Sequence, residues 1–291
     1  MNLYILAALF IVVLVALVIF HLETKRFIVK TYTITSKKLP KAFHGTKIAL
    51  VSDLHNVEYG KENQKLLEAI DKEKPEYILV AGDMLVAKAG EDFSAAIAFL
   101  KAISEKYPVY YSYGNHECRL KEKKVVYKDM AARYNQEVEK LPLFLLHNQN
   151  AEIKKGASSI RIYGLEIGME YYYKFKPYKM TGMYLNKRLG KKNPEEFSIL
   201  IAHNPYFFQA YAEWGADLVV SGHNHGGIAQ VPFLGGLVDP NLRIFPKYDK
   251  GLFQEKDSQM VLSAGTGSHK PNFRAFNPPE LSIIKLEMPN G

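Results

Sequence analysis

Cysteine is nearly absent: Cys118 stands alone among 291 residues, which excludes an intrachain disulfide and a metal cage built of thiolates. Acid is scarce relative to base. Lys and Arg number 38 against 30 Asp and Glu, a net charge of +8. That balance favours anionic partners (phosphorylated substrates, nucleic acid, acidic lipid surfaces), with a plain solubility effect as the alternative. Internal repeats and low-complexity tracts are missing, which argues against repeat architectures. Long apolar runs are missing too, except at residues 3–20. The hydrophobic fraction of 47% and charged fraction of 23% are those of an ordinary folded chain with ample length for a core.

The run 3–20 carries no charge and is almost wholly aliphatic. As a helix rising about 1.5 Å per residue it spans roughly 27 Å, close to a bilayer's hydrocarbon core. A cleaved signal peptide is the competing reading. It wants Lys or Arg before the run and a small-x-small site after it, whereas Asn2 precedes and His21-Leu22-Glu23-Thr24-Lys25 follows. The expectation is a single-pass transmembrane anchor at 1–22, a juxtamembrane strand and connector at 23–45, and one domain over 46–291. Lys25, Arg26 and Lys30 just beyond the span favour a cell-membrane protein with its domain on the cytoplasmic face, the extracytoplasmic face being the alternative.

After a first alternating strand at 27–35, strand, polar tip and helix recur three times. Apolar strands are predicted at 48–51, 77–81 and 109–113, and helices at 63–72, 93–103 and 125–140. Short strands follow at 143–146, 152–154, 160–163, 197–201, 228–231, 260–264 and 281–286, with a helix at 206–214. Such alternation predicts an α/β sheet with parallel strands, whose ligands gather at strand carboxyl ends.

Unusual polar residues stand at those ends: Asp53, His55, Asp83, Asn115, His116, His203, His223 and His225. His223 and His225 lie one apart between glycines, and in an extended strand end both rings would face one point. Singly, each residue has a bland explanation. Asp53 or Asp83 would serve as a helix N-cap, Asn115 as a turn residue, His203 as a loop histidine beside Pro205. Jointly, oxygen and imidazole donors without thiolate suit Mn²⁺ best, with Zn²⁺ or Fe as alternatives. There are more donors than one tetrahedral ion uses. Two ions about 3.5–4 Å apart would absorb them, acidify a bridging water and clamp an in-line displacement at phosphorus.

Asp-Leu-His at 53–55, Gly-Asp at 82–83, Gly-Asn-His-Glu at 114–117, His203 and Gly-His-Asn-His at 222–225 resemble, in order, the calcineurin-like metallophosphoesterase superfamily. Gly-Thr-Gly at 265–267 and Phe-Asn-Pro-Pro-Glu at 276–280 look like its membrane-anchored bacterial branch, which includes enzymes similar to UDP-diacylglucosamine diphosphatase. The resemblance implies a four-layer α/β/β/α double β-sandwich behind the anchor. It implies one metal on Asp53, His55 and His225, a second on Asn115, His203 and His223, and Asp83 bridging. His116 would act as catalytic acid or stabilise charge on the phosphorane. Many relatives place an acid three residues after the bridging Asp; here Val86 stands there, so an acid that orients His116 must come from elsewhere or be absent.

Rival motifs fail. Cys118 lacks the Arg at 124 of a cysteine phosphatase, and Gly265-Thr266-Gly267-Ser268-His269-Lys270 is no P-loop. Lys270 and Arg274 would meet a second phosphate or sit on a solvated loop face. The Tyr- and Lys-rich run 171–179 suits a membrane interface, a substrate cover or a packed surface loop. The expectation is a membrane-anchored dinuclear hydrolase of phosphodiester or diphosphate bonds, its nucleophile a metal-bridging hydroxide and its substrate a phosphorylated small molecule or lipid. A catalytically silent metal-binding adaptor and a nucleic-acid phosphodiesterase are the alternatives; no nucleic-acid module is visible, so no nucleic-acid partner is expected.

Overall fold

A computed structural model describes residues 3–174, 178–268 and 274–289. The chain opens with α1 (Leu3–Glu23) and an edge strand, β1 (Ile28–Thr35). Three strand–helix units follow: β2 (Lys47–Val51), α2 (Gln64–Glu73), β3 (Tyr77–Val80), α3 (Ser94–Ser104), β4 (Val109–Tyr111) and α4 (Asn115–Glu122). Two further helices, α5 (Lys124–Tyr127) and α6 (Met130–Glu139), lead to β5 (Phe144–Leu145). The second half runs β6 (Gln149–Lys155), β7 (Ser158–Leu165), α7 (Gly182–Leu189), β8 (Ser198–Ala202), α8 (Phe208–Trp214) and β9 (Leu218–Ser221). A small hairpin, β10 (Gln230–Val231) and β11 (Gly235–Gly236), precedes β12 (Gly251–Glu255), β13 (Ser258–Leu262) and the returning β14 (Glu280–Glu287).

Two six-stranded sheets result, ordered β1-β14-β2-β3-β4-β5 and β12-β13-β9-β8-β7-β6. Strands β2 to β5 are mutually parallel, as are β7, β8, β9 and β13. Side-chain alternation then decides the layers. Ile48, Leu50, Leu79 and Tyr110 of the first sheet meet Ile162, Ile199, Ile201 and Val220 of the second in a core between the sheets. The intervening Ala49, Val51, Ile78, Val80 and Tyr111 face outward under Leu66, Ile70, Phe99, Leu100 and Tyr134 of the first helical layer. On the opposite side Leu165, Leu200 and Val219 carry Leu185, Phe208, Tyr211 and Trp214. This is the α/β/β/α arrangement expected. Strands apolar at nearly every position can form it because both faces are covered, and each fully buried aliphatic contributes roughly 1.5–3 kcal/mol of transfer free energy.

Some local expectations need correction. The helix expected over 125–140 is broken: Lys128 is left-handed, at φ 51°. Met130, Tyr134 and Val138 are buried at helical spacing, but Val125 and Val126 point to solvent and do not extend that stripe. The strand expected to 113 stops at Tyr111, and α4, α7 and β12 went unforeseen. Among the described residues no helix is long and apolar enough to cross a membrane. The run 3–20 falls within α1, several of whose side chains lie outside those residues. Residues 175–177 and Lys270 also lie outside them.

Candidate metal centre

The carboxyl ends of β2, β3, β4, β8 and β9 come together at one end of the two sheets. Left-handed backbone turns the side chains inward there: Asp53, His55, Asp83, His223 and His225 all have φ between 49° and 74°. For residues with a Cβ this costs about 1–2 kcal/mol each, strain of the kind that surrounding structure holds in place at working sites. Two glycines are required by close approach. A Cβ on Gly222 would overlap the Ser52 hydroxyl and the Asp53 carboxylate, and one on Gly114 would overlap Asp83, whose backbone N would lie 2.7 Å away.

Asp53, His55 and His225 form one group of mutually close donor atoms, and Asp83, His203 and His223 another. His225 Nε2 lies 3.3 Å from Asp53 Oδ1 and 3.1 Å from His55 Nε2. Asp83 also closes a third group with His55 and His116, so it lies between the two. His223 and His225 therefore do not face a common point as an extended strand end would have it, and divide as the family resemblance implies. Their turn is left-handed rather than extended, and it sends one ring to each group.

The donor set fits metal. His55 Nδ1 lies 3.3 Å from the Leu85 carbonyl, and His203 Nδ1 2.6 Å from that of Ala81. A carbonyl only accepts, so each Nδ1 carries the proton and leaves the Nε2 lone pair for an ion. The buried atoms without a hydrogen-bond partner include Asn115 Oδ1, His203 Nε2 and His223 Nε2. His203 Nε2 is 3.1 Å from Asp83 Oδ2, near enough for the two to pair when the ring is protonated.

Residues 46–227 match the family model for calcineurin-like phosphoesterases. This chain belongs to that family. It is a metal-dependent phosphoester hydrolase. The chain is 26% identical over 273 residues to the uncharacterised metallophosphoesterase YkuE of Bacillus subtilis, covering 93% of this chain and 89% of that one. It is 24% identical to UDP-2,3-diacylglucosamine pyrophosphatase LpxG of Chlamydia muridarum, over 85% of this chain and 86% of that one. A transmembrane protein with a metallophosphoesterase domain from Danio rerio is 24% identical, over 86% of this chain and 55% of that one.

Burial, opposed by His203 and reinforced by Asp83, lifts Asp53 of this phosphoesterase to about 6. Burial works to raise Asp83 as well, but His203 and His116 overcome it and hold Asp83 well below the usual carboxylate range. Its partner His203 rises to about 10, the Asp83 and Asp53 charges outweighing burial. Burial and the His203 charge drop His223 to about 3; burial, His55 and Arg274 hold His225 well below the usual imidazole range. His223 and His225 are thus neutral near pH 7, the form that binds a cation, whereas His203 would release a proton on doing so.

Glu117 is a site residue that sequence reasoning quoted but left without a role. Buried at the start of α4, its carboxylate accepts the N–H groups of Asp83 (2.9 Å), Met84 (2.7 Å) and Gly114 (2.9 Å), and the Tyr111 hydroxyl (3.0 Å). Glu117, three residues beyond Gly114, supplies one half of a capping box, hidden because 114–117 read as a strand tip. Burial and the Asp83 charge lift Glu117 to about 7, against the pull of its N–H bonds. His116 is oriented without an acid at 86: the Ala87 N–H donates to its Nδ1 at 2.8 Å.

Arg274 does not sit on a solvated loop face; it lines the cavity over the metal donors. It is buried, and its guanidinium is engaged by Ser268 Oγ and the carbonyls of Ala264, Gly267, His225 and Asn277. It ties down the loop behind His225.

Proposed function

We propose that this chain is a membrane-anchored phosphoesterase with a dinuclear centre, cleaving a diphosphate or phosphodiester bond of a lipid-linked substrate. Asp53, His55 and His225 would hold one ion and Asn115, His203 and His223 the other, with Asp83 shared. The observation that carries this reading is the pair of unpartnered buried atoms, Asn115 Oδ1 and His223 Nε2, beside the Asp83 carboxylate that His203 Nε2 faces at 3.1 Å. Leaving such atoms unpaired costs roughly 1–3 kcal/mol apiece, which bound cations would offset. Two divalent ions, Mn²⁺ by the donor set and Zn²⁺ or Fe next, would activate a water and neutralise charge on phosphate oxygens.

The chain's own residues supply the remainder. With Nδ1 of His116 accepting from Ala87, the neutral ring carries its proton on Nε2, 3.9 Å from Asp83 Oδ2, and would offer it to the leaving oxygen. The positive end of the α4 dipole adds to the field on an anion there. The cavity over these residues has a volume of about 410 Å³ and is lined by Arg119 and Lys174 as well as Ile228, Pro240 and Leu242. Cations for a phosphate and an apolar wall for what it carries suit an amphiphilic substrate. The pyrophosphatase LpxG, whose named substrate is a diacylated sugar nucleotide, agrees with that choice. Helix α1 would be the anchor, and the basic residues behind it favour the cytoplasmic face for the domain, with the extracytoplasmic face as the alternative.

The test is hydrolysis by the full chain in lipid nanodiscs. The expected result is Mn²⁺-dependent turnover of bis(p-nitrophenyl) phosphate and of a lipid-linked diphosphate in the same bilayer. No turnover with Mn²⁺, Zn²⁺ or Fe²⁺ would leave the silent adaptor. Turnover of RNA or DNA alone would move the substrate to nucleic acid.

A further inference from the structure

The segment 228–245 combines properties that a folded chain normally keeps apart. Its hairpin β10–β11 turns through Pro232-Phe233-Leu234, where Gly, Asn or Asp would be ordinary. Phe233 is left-handed at φ 67° and fully exposed, and Leu234 is 63% exposed. Leu242 (φ 64°) and Phe245 (φ 48°) repeat the pattern, with Ile244 exposed between them. Bulky apolar residues rarely adopt this conformation, and among the described residues nothing covers them. Arg243 sits among them, its guanidinium stacked 4.0 Å over the Tyr206 ring.

The patch has a fixed place. Ile228 and Leu242 line the metal-site cavity, so the apolar surface runs outward from its mouth. It also adjoins the end of α1. Phe20 packs edge-on against exposed Phe276 at 5.9 Å, and the Asn277 N–H donates to Glu23 at 3.3 Å. The Asn277 amide in turn donates to the His225 carbonyl at 2.6 Å, and Gln230 N–H to Ala275 O at 2.9 Å.

We infer that residues 228–245 form a second membrane contact: a loop that inserts Phe233, Leu234, Ile244 and Phe245 into the bilayer entered by α1 and seats the cavity mouth on the lipid surface. A lipid bilayer fits better than a protein groove. The apolar side chains crown a hairpin tip and a neighbouring turn, the shape of an insertion, and Arg243 among them matches anionic headgroups. A substrate's acyl chains would then stay in the membrane while its phosphates reach Asp83. The inference rests on the anchored reading above for the bilayer's approach.

The experiment uses the full chain with Cys118→Ser, single cysteines at Phe233, Ile244, Phe10 and Lys154, and an environment-sensitive fluorophore on each, in nanodiscs bearing nitroxide lipids. Labels at 233 and 244 should shift blue and lose most of their emission, most strongly to nitroxides about 5–10 Å below the headgroups; the label at 154, on the far strand β6, should not. Quenching at 10 without quenching at 233 and 244 overturns the loop proposal and leaves the anchor standing. No quenching at 10 overturns both. A blue shift at 233 and 244 without lipid quenching reveals a protein partner or a second copy in place of the bilayer, and also overturns it.

Discussion

Replacing Asp83 by asparagine is expected to lower kcat by about 10²–10³-fold, the loss seen when one preorganised electrostatic partner leaves a catalytic site. Asparagine matches aspartate in volume and keeps an oxygen for the His116 N–H, which Asp83 Oδ1 accepts at 2.7 Å. The fold therefore survives. What disappears is the negative charge lying between the two donor groups, 3.1 Å from His203 Nε2. Without it the proton on His203 has lost its main support, and neither group is complete. Steady-state hydrolysis of bis(p-nitrophenyl) phosphate with saturating Mn²⁺ reads the effect, and a thermal melt run alongside checks that Tm is retained. Wild-type turnover by D83N would sink the shared-carboxylate assignment.

Glu117→Ala is expected to act on stability as much as on activity. Three backbone N–H groups and the Tyr111 hydroxyl converge on that carboxylate, in an interior where Glu117 and Tyr111 are almost fully buried. Alanine leaves these donors in a cavity of their own. A buried donor left unsatisfied costs about 1–3 kcal/mol, and with four donors orphaned and partial relaxation the loss should total about 3–5 kcal/mol. At roughly 2–4 °C per kcal/mol for a domain of this size, Tm should fall by about 6–20 °C. Activity should fall too, because the Asp83 and Gly114 turns that Glu117 bridges carry the central carboxylate, Asn115 and His116. Calorimetry on the two proteins measures the shift. A Tm close to wild type would mean that other groups or water satisfy these donors.

Much of this was legible before any coordinates. A strand buried on both faces must be apolar at almost every position, so runs such as Ile48-Ala49-Leu50-Val51 announce themselves, and a polar residue at the end of such a run has few structural excuses. The candidate donors were therefore readable from their positions at the strand ends. Less readable was how their backbones turn. The left-handed conformations at His223 and His225 have no propensity signature, because neighbouring loops impose them: Asp53 takes the His223 N–H with both oxygens at 3.1 Å. The pair therefore divides between two groups where an extended strand would have kept it together. Glu117 escaped because two of its partners, the N–H groups of Asp83 and Met84, are distant in sequence and invisible to any periodicity. The Ala87 N–H that orients His116 escaped for the same reason, and Val86 pointed to a missing acid without revealing the amide beside it.

The central claim is that Asp83 joins two ion sites in one pocket. Electron paramagnetic resonance of the Mn²⁺-loaded full chain, with metal counted on the same sample, tests it most directly. The account predicts two Mn²⁺ per chain and the spectrum of an exchange-coupled pair, with the coupling lost in D83N. One ion per chain, or two that give only the signal of isolated Mn²⁺, would contradict it.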